Sequence, residues 1–409
     1  MSNINEIETQ LRIIQSGGAH VVPLEALRAK LATGRALRVK LGVDPTAPDL
    51  HIGHAVPLRK LRQLQDIGHQ VVLIIGNGTA LIGDPSGRNS TRPPLTQEQI
   101  AINAQTYVEQ AFKILDESKT ELVWNGDWLM PLDLAGILKL SAQFTVARIL
   151  ERDDFSNRYK SQQSISLHEF LYPVMQAYDS VIVRADIEIG GNDQLFNLLA
   201  GRELMEKMDM EPQVCLTLPL LEGTDGVQKM SKSYGNYIGI TDAPEDMFGK
   251  VMSIPDTLME RYLYLASTVP PLEVEGILAG LEAGELHPNA VKRNLAANIV
   301  AAYHGQQAAL DAEAAFDRLF KEHAVPDDIA EVILAAKPGD DGLIYIPAVL
   351  VELGLAASAG EVRRLIDGGG VKIDGVVLEA GEYRLEPTRL ANVVVQVGKR
   401  KFVRLVSAL

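Results

Sequence analysis

Leu37-Arg38-Val39-Lys40-Leu41-Gly42-Val43 alternates in polarity as a β-strand does, and the turn-forming loop Asp44-Pro45-Thr46-Ala47-Pro48-Asp49 follows it. His51-Ile52-Gly53-His54 comes next, and then Val56, Leu58, Leu61, Leu64 and Ile67 keep helical spacing until Gly68 stops the run. Val71-Val72-Leu73-Ile74-Ile75-Gly76 is an unbroken apolar stretch, typical of a strand buried on both faces. Strand, helix and buried strand in this rhythm predict an α/β fold with a parallel sheet and right-handed crossovers.

The pattern extends outward from there. A second strand–glycine junction lies at Asp186-Ile187-Glu188-Ile189-Gly190-Gly191, and Val214–Leu221 reads as another buried strand, which gives Cys215 a structural role. The first 35 or so residues read as helical, with Ile4, Ile7, Leu11 and Ile14 in step and a break at Ser16-Gly17-Gly18. The stretch 96–183 reads as mainly helical. Within it Leu134, Ile137, Leu138, Phe144, Ile149 and Leu150 offer more apolar surface than one core absorbs, as a subunit interface or as a two-sided core helix. Residues 244–324 are helical in pattern, and Pro326 with Lys337-Pro338-Gly339-Asp340-Asp341-Gly342 marks a linker. The tail begins with a short helix. A second opens at the capping-box spacing Ser358-Ala359-Gly360-Glu361 and ends at Gly368-Gly369-Gly370. A hairpin, Val371–Ile373 and Val376–Leu378 around Asp374-Gly375, closes the pattern. The expected domains are 1–243 (with a helical insertion at about 96–183), 244–324, a linker at 325–343, and 344–409.

A chain of 409 residues with 46% apolar and 22% charged residues suits a water-soluble protein of two to three domains, at ~150 residues per domain. No uncharged apolar stretch reaches the ~18 residues of a membrane helix, and the N-terminus lacks a basic-then-apolar signal pattern. One cysteine cannot form an internal disulfide, so a cytoplasmic location is expected. The net charge of −14 argues against nucleic acid for the chain as a whole, yet residues 344–409 carry nine bases against seven acids. A positive tail on an acidic body is the kind of asymmetry an RNA-contacting appendage shows.

Two constellations carry chemistry. His51 and His54 at a helix start, with small Gly53 between them, suit a polyanion such as a triphosphate, because helix-terminal N–H groups add to the imidazoles. A metal pair and simple packing are the other readings, and no third metal ligand stands at recognisable spacing. Lys229-Met230-Ser231-Lys232-Ser233 lies beside Gly223-Thr224-Asp225-Gly226. Two lysines with hydroxyls on a mobile loop can close over phosphates and stabilise departing charge; a merely solvated basic loop is the alternative. Gly78–Gly83 has the glycine spacing of a phosphate loop but continues Asp84-Pro85 without Lys-Ser/Thr, which rejects that reading.

Together these signatures resemble class I aminoacyl-tRNA synthetases. Gly42–Thr46, His51–His54, Leu81–Gly87, Tyr172–Asp179, Gly190–Gln194 and Lys229–Ser233 are similar to segments of the bacterial tyrosyl enzymes over nearly the whole chain. The resemblance implies a Rossmann-type catalytic domain, an all-helical domain on the tRNA side and a small α+β RNA-binding module. It further implies a homodimer that joins L-tyrosine to tRNA(Tyr) with ATP. Mg²⁺ is expected with the ATP, and no tightly bound metal. Asp84, Tyr172 and Gln176 would hold the tyrosine ammonium, Asp179 would accept from the phenol, and Gln194 would lie near the carboxylate. Gly42, Asp44, Gly53, Gly191, Asp193 and Lys232 would bind ATP, Asp193 and Gly191 at the ribose. Thr46, His51 and His54 would meet the phosphates, and Lys229, Lys232 and Ser233 would stabilise pyrophosphate. Arg88 and Arg92 are further basic candidates near the phosphates, and Arg363, Arg364 and Lys372 would contact RNA. One departure stands out: where many bacterial members place a tyrosine at the substrate hydroxyl, this chain has Lys40, which either pairs with Asp179 or points away. Three competing readings are a tryptophanyl ligase, an RNA-binding protein built on a lapsed synthetase, and a nucleotidyltransferase without tRNA. The Tyr172, Gln176 and Asp179 set opposes the first. The intact histidine and lysine motifs oppose the second. The third leaves residues 244–409 without a purpose.

Overall fold

Val71 through Ile75 expose none of their surface, as a strand covered on both faces must. In the computed structural model, which describes residues 4–46, 50–86, 96–320, 330–333, 338–339, 341–398 and 401–406, they form the middle of a six-stranded sheet. Its strands are β1 (His20–Val22), β2 (Arg38–Val43), β3 (Gln70–Ile75), β4 (Thr120–Trp124), β5 (Ile187–Gly191) and β6 (Val214–Leu218). Their spatial order is β1-β6-β5-β2-β3-β4; all neighbours run parallel except β1, which pairs antiparallel with β6. The chain runs outward from β2 through β3 to β4, then returns to lay β5 against the other side of β2. The carboxyl ends of β2 and β5 therefore diverge, and this switch point is where open parallel sheets form their crevices.

Two strands escape the periodicity. β1 lies in the N-terminal stretch expected to be helical, and β4 lies inside the stretch 96–183 expected to be mainly helical. Both are edge strands, of three and five residues, and neither has a run of fully buried side chains for a pattern to register. The apolar segment is split into helices Leu134–Ser141 and Val146–Ile149. Leu140 joins a core cluster against which Ile137 and Phe144 pack, whereas Leu134, Leu138 and Val146 are exposed by 72%, 59% and 63%. Cys215, wholly buried on β6, has its thiol pushed up to about 12 by burial, so it is chemically quiet.

Contacts divide the chain into two compact units, 1–312 and 313–409. The helices between residues 244 and 304 lie in the first unit: fully buried Tyr262 donates to the Glu222 carbonyl at 2.8 Å. The second unit has helices Ile346–Glu352 and Ala359–Asp367. Its remaining strands are β7 (Glu331–Ile333), β8 (Ile344–Tyr345), β9 (Val371–Ile373), β10 (Val376–Val377), β11 (Arg384–Leu385), β12 (Val393–Val397) and β13 (Lys401–Val406). They form a sheet ordered β10-β9-β12-β13-β7 and a β8–β11 pair, so the stretch expected as linker supplies a strand, β7, parallel to β13. Ser358 caps its helix by accepting from the Glu361 amide, and Val376 pairs with Ile373 across a two-residue turn. Asp374 and Gly375 turn there with φ of 46° and 81°, the left-handed values such a hairpin requires.

Candidate active site

A cavity of about 400 Å³ opens at the switch point, walled by the ends of β2, β5 and β6 and by the loop after β3. Its depth is acidic. Asp44, at the end of β2, accepts from Thr79 Oγ1 at 2.7 Å and from Tyr172 Oη at 3.0 Å. It lies so close across the end of β3 that a Cβ on Gly76 would meet its Oδ1 at 2.1 Å. Asp84 accepts from the Ser86 amide and hydroxyl at 2.9 and 2.6 Å, from Gln194 Nε2 at 2.8 Å and from Arg152 Nη2 at 3.2 Å. Asp179 accepts from Trp128 Nε1 at 2.8 Å and from Asn125 Nδ2 at 3.1 Å. Arg152 answers the charge of Asp84, but Asp44 and Asp179 receive only neutral donors directly. Burial pushes Asp44 up to about 7 and Asp179 up to about 6, with neighbouring carboxylates adding to the effect.

The rim has the opposite character. His51 caps helix Ile52–Asp66, its Nδ1 accepting from the His54 amide at 3.3 Å, and the two imidazoles stack with centroids 3.7 Å apart. Burial, then His54 and Lys232, lower the His51 imidazole to about 3, so it is neutral at physiological pH. The lysine loop reaches this helix through Gly53: a Cβ there would meet His51 Nδ1 at 3.0 Å and Met230 Cβ at 3.4 Å. The Ile52 amide donates to Ile238 at 2.9 Å, fastening the helix start to the chain just past the loop. Buried Asn236 ties the base of the loop, its Oδ1 accepting from the Ser231 amide at 2.8 Å and its Nδ2 donating to Asp225 Oδ2 at 2.9 Å and to the Lys229 carbonyl at 3.2 Å.

Gly42, Asp44, Thr46, Gly53, His54, Asp84, Tyr172, Gln176, Asp179, Gly191, Asp193 and Gln194 all line the cavity, so the structure brings most of the expected set together. His51, Lys229, Lys232 and Ser233 stand outside its walls; the last three are exposed on the loop. Asp44, expected on the ATP side, is bonded to Tyr172, a residue expected to hold the ammonium. Lys40 requires a correction as a tyrosine-binding residue: it does not line the cavity or pair with Asp179, and of the two expectations the structure shows the second, a side chain pointing away, with its ammonium held by acceptors of its own. Its ammonium, wholly buried, donates to Glu188 Oε1 at 2.8 Å, Ser180 Oγ at 2.8 Å and the Gln176 carbonyl at 3.1 Å. A buried ammonium goes where acceptors are, and Glu188 on the adjacent strand β5 is the nearest carboxylate. In the second unit Arg363 and Arg364 are exposed on helix Ala359–Asp367 and Lys372 is half-buried on β9. Arg88 and Arg92 lie outside the described residues.

Known proteins place this geometry. The family of class I tRNA synthetases (W and Y) matches residues 32–321, and an S4 domain matches 346–389. The chain belongs to the class I tRNA synthetases. Within that family it is 50% identical over 404 residues to the tyrosine–tRNA ligase of Moorella thermoacetica, covering 98% of this chain and 96% of that one. It is 48% identical over 407 residues to the enzyme of the same name from Carboxydothermus hydrogenoformans, covering 98% and 99%. Among solved structures it resembles the tyrosyl-tRNA synthetase of Archaeoglobus fulgidus complexed with L-tyrosine (25% identity, TM-score 0.62, covering 75% of this chain and 99% of that one). A truncated mitochondrial tyrosyl-tRNA synthetase from Aspergillus nidulans shares the fold, with a TM-score of 0.64 at 23% identity, covering 77% of this chain and 94% of that one.

Sequence reading missed Asn125, Trp128, Arg152, Glu188 and Asn236. Motifs flag groups that meet a ligand, and these five orient such groups instead. The raised carboxyls have a measurable consequence. Ionised Asp44 favours an ammonium held at its partner Tyr172, and ionised Asp179 accepts from a phenol, so tyrosine affinity holds above pH 7 and falls as Asp44, then Asp179, takes up a proton. Fluorescence titration with L-tyrosine from pH 5 to 9 should show weakening below about pH 7, approaching tenfold per pH unit for one essential ionisation; a flat profile excludes both groups as partners.

Proposed function

We propose that this synthetase is a tyrosine–tRNA ligase. The carboxylate oxygen of L-tyrosine attacks the α-phosphorus of ATP, pyrophosphate leaves, and the 3′-terminal adenosine hydroxyl of tRNA(Tyr) then takes the tyrosyl group as AMP departs. The observation carrying this reading is the approach of Met230 to Gly53, which sets the lysine loop against the histidine helix at the mouth of an acidic cavity. A cavity negative in its depth and polyphosphate-binding at its rim orients an amino acid with its ammonium inward and its carboxylate toward ATP.

In this reading Asp84, Tyr172 and Gln176 receive the ammonium and Asp179 accepts from the phenol. Gln194 stands near the carboxylate. Gly42, Gly53, Gly191 and Asp193 bound the nucleotide, with Asp193 and Gly191 at the ribose, while Asp44, expected there, stands with Tyr172 instead. Thr46, His51 and His54 meet the phosphates, the neutral imidazoles as N–H donors. Lys229, Lys232 and Ser233 close on the pyrophosphate as its charge develops, so their binding energy is realised chiefly in the transition state. A phenylalanine would leave Asp179 buried without its partner, the penalty by which such sites reject a missing hydroxyl. Mg²⁺ comes with ATP, held by phosphates and water. No helix among the described residues is long and apolar enough to cross a membrane. Action on tRNA in the cytoplasm belongs to the same proposal and rests on the likeness to bacterial tyrosine–tRNA ligases.

Tyrosine-dependent ATP–pyrophosphate exchange tests the reading. Lys232→Ala should lower its rate about a hundredfold or more while tyrosine affinity stays within about twofold; an unchanged single-turnover rate refutes the clamp. Leu134, Leu138 and Val146 give the first unit an uncovered apolar face that supports a homodimer. Sedimentation at micromolar concentration should give twice the 44.6 kDa chain mass. Arg363 and Arg364 support phosphate tracking by the S4 module. Replacing both with Ala should weaken tRNA binding and flatten its log–log salt dependence by about two, leaving exchange untouched; equal losses in charging and exchange would make the module a structural cap.

A further inference from the structure

Behind the cavity lies a closed network with an outlet toward the substrate. Lys40 is wholly buried and Glu188 is 1% exposed. The three ammonium protons of Lys40 meet three acceptors, Glu188 Oε1, Ser180 Oγ and the Gln176 carbonyl. Glu188 receives four donors: Lys40 and the Gln176 Nε2 (3.0 Å) on Oε1, and Ser180 Oγ (3.1 Å) and Gln213 Nε2 on Oε2. No polar atom of the pair is left over, so neither side chain can rotate without orphaning a buried group.

Gln176 is the member that reaches the cavity. A free glutamine can present either end of its amide, donor or acceptor, to a ligand. Here one end faces a carboxylate, which accepts only, so the NH₂ must turn inward and the carbonyl oxygen must turn to the cavity. We propose that the Lys40–Glu188 ion pair is a positioning device that locks Gln176 with its oxygen toward the substrate, thereby setting recognition of the ammonium group. The inference rests on the reading of the cavity as a tyrosine site. Lys40 supplies the charge that lets Glu188 be buried as a carboxylate, and it grips the Gln176 backbone as well. Helix Leu171–Val183 is thus held at two points one turn apart, residues 176 and 180. Lys40 and Glu188 touch no substrate; they act through Gln176.

The pair can be removed without stranding a charge, since apolar replacements of buried ion pairs commonly leave folds intact. In wild-type protein, competition against tyrosine is measured for tyramine, which keeps the ammonium, and for 3-(4-hydroxyphenyl)propionate, which lacks it. Lys40→Met/Glu188→Leu should weaken tyramine about tenfold or more, the worth of one hydrogen bond to a charged group, and the propionate less than about twofold. In a Gln176→Met background the same two substitutions should add less than about twofold to the tyramine loss, because the residue they act through is gone. If the double variant does not fold, Lys40→Met/Glu188→Gln replaces it. Its amide can present either face to Gln176, so the same selective loss should persist in smaller degree. Unchanged tyramine binding, or equal losses for both ligands, overturns the inference while leaving the ligase reading standing. Wild-type protein that binds no tyrosine and catalyses no exchange overturns both.

Discussion

Asp44, Asp84 and Asp179 share the wall of one cavity, and Glu188 lies behind it. Like charges at low dielectric repel strongly, so such a group persists only where cations or donors answer each member. Arg152 answers Asp84, Lys40 answers Glu188, and Asn125 and Trp128 hold Asp179. Asp44 has two hydroxyls and no cation in direct contact. The balance therefore remains negative, which suits the ammonium proposed to bind there. Much of the surrounding structure follows from this requirement: a lysine buried without solvent, an arginine 4% exposed, and a glycine at position 76 that leaves room for Asp44.

The rim obeys a different constraint. Two stacked, buried imidazoles beside Lys232 disfavour protonation, so His51 stays neutral and positive charge at the rim is left to the lysines. Those lysines sit on an exposed loop anchored at Asn236 and at the contact of Met230 with Gly53. In the proposed reaction an anchored base with an exposed tip lets charge arrive with the polyphosphate, and the binding energy is then available for the reacting state. In the proposed reaction, negative depth and positive rim also set the sense in which a zwitterion enters.

Much of the fold was legible from local pattern. β2, β3, β5 and β6 announce themselves through alternation or unbroken apolar runs, because sheet burial acts on every second or every successive side chain. β1, β4 and β7 did not, being short edge strands whose pairing depends on a partner far along the chain, and β8, β11, β12 and β13 also went unread, although β12 and β13 lie inside their sheet. The site divides along the same line. Histidines and lysines that meet a polyanion must stand at a helix start or on a loop, and their spacing displays this. Asn125 and Trp128 are 54 and 51 residues from Asp179, and Arg152 is 68 from Asp84, so no spacing rule connects them.

Lys40 shows the boundary most sharply. Sequence alone determined that a charged residue occupies strand β2 beside the cavity and that it departs from the tyrosine common among relatives. It also determined the parallel sheet and the residue types at the ligand-facing positions, since each depends on short-range periodicity or composition. Only the tertiary structure decided that the lysine turns to Glu188 rather than Asp179. Its direction depends on which acceptors the pairing of β2 with β5 and the packing of helix Leu171–Val183 bring within reach. Desolvation then makes the choice, because a buried ammonium must satisfy all three protons at once, and one arrangement of neighbours does so.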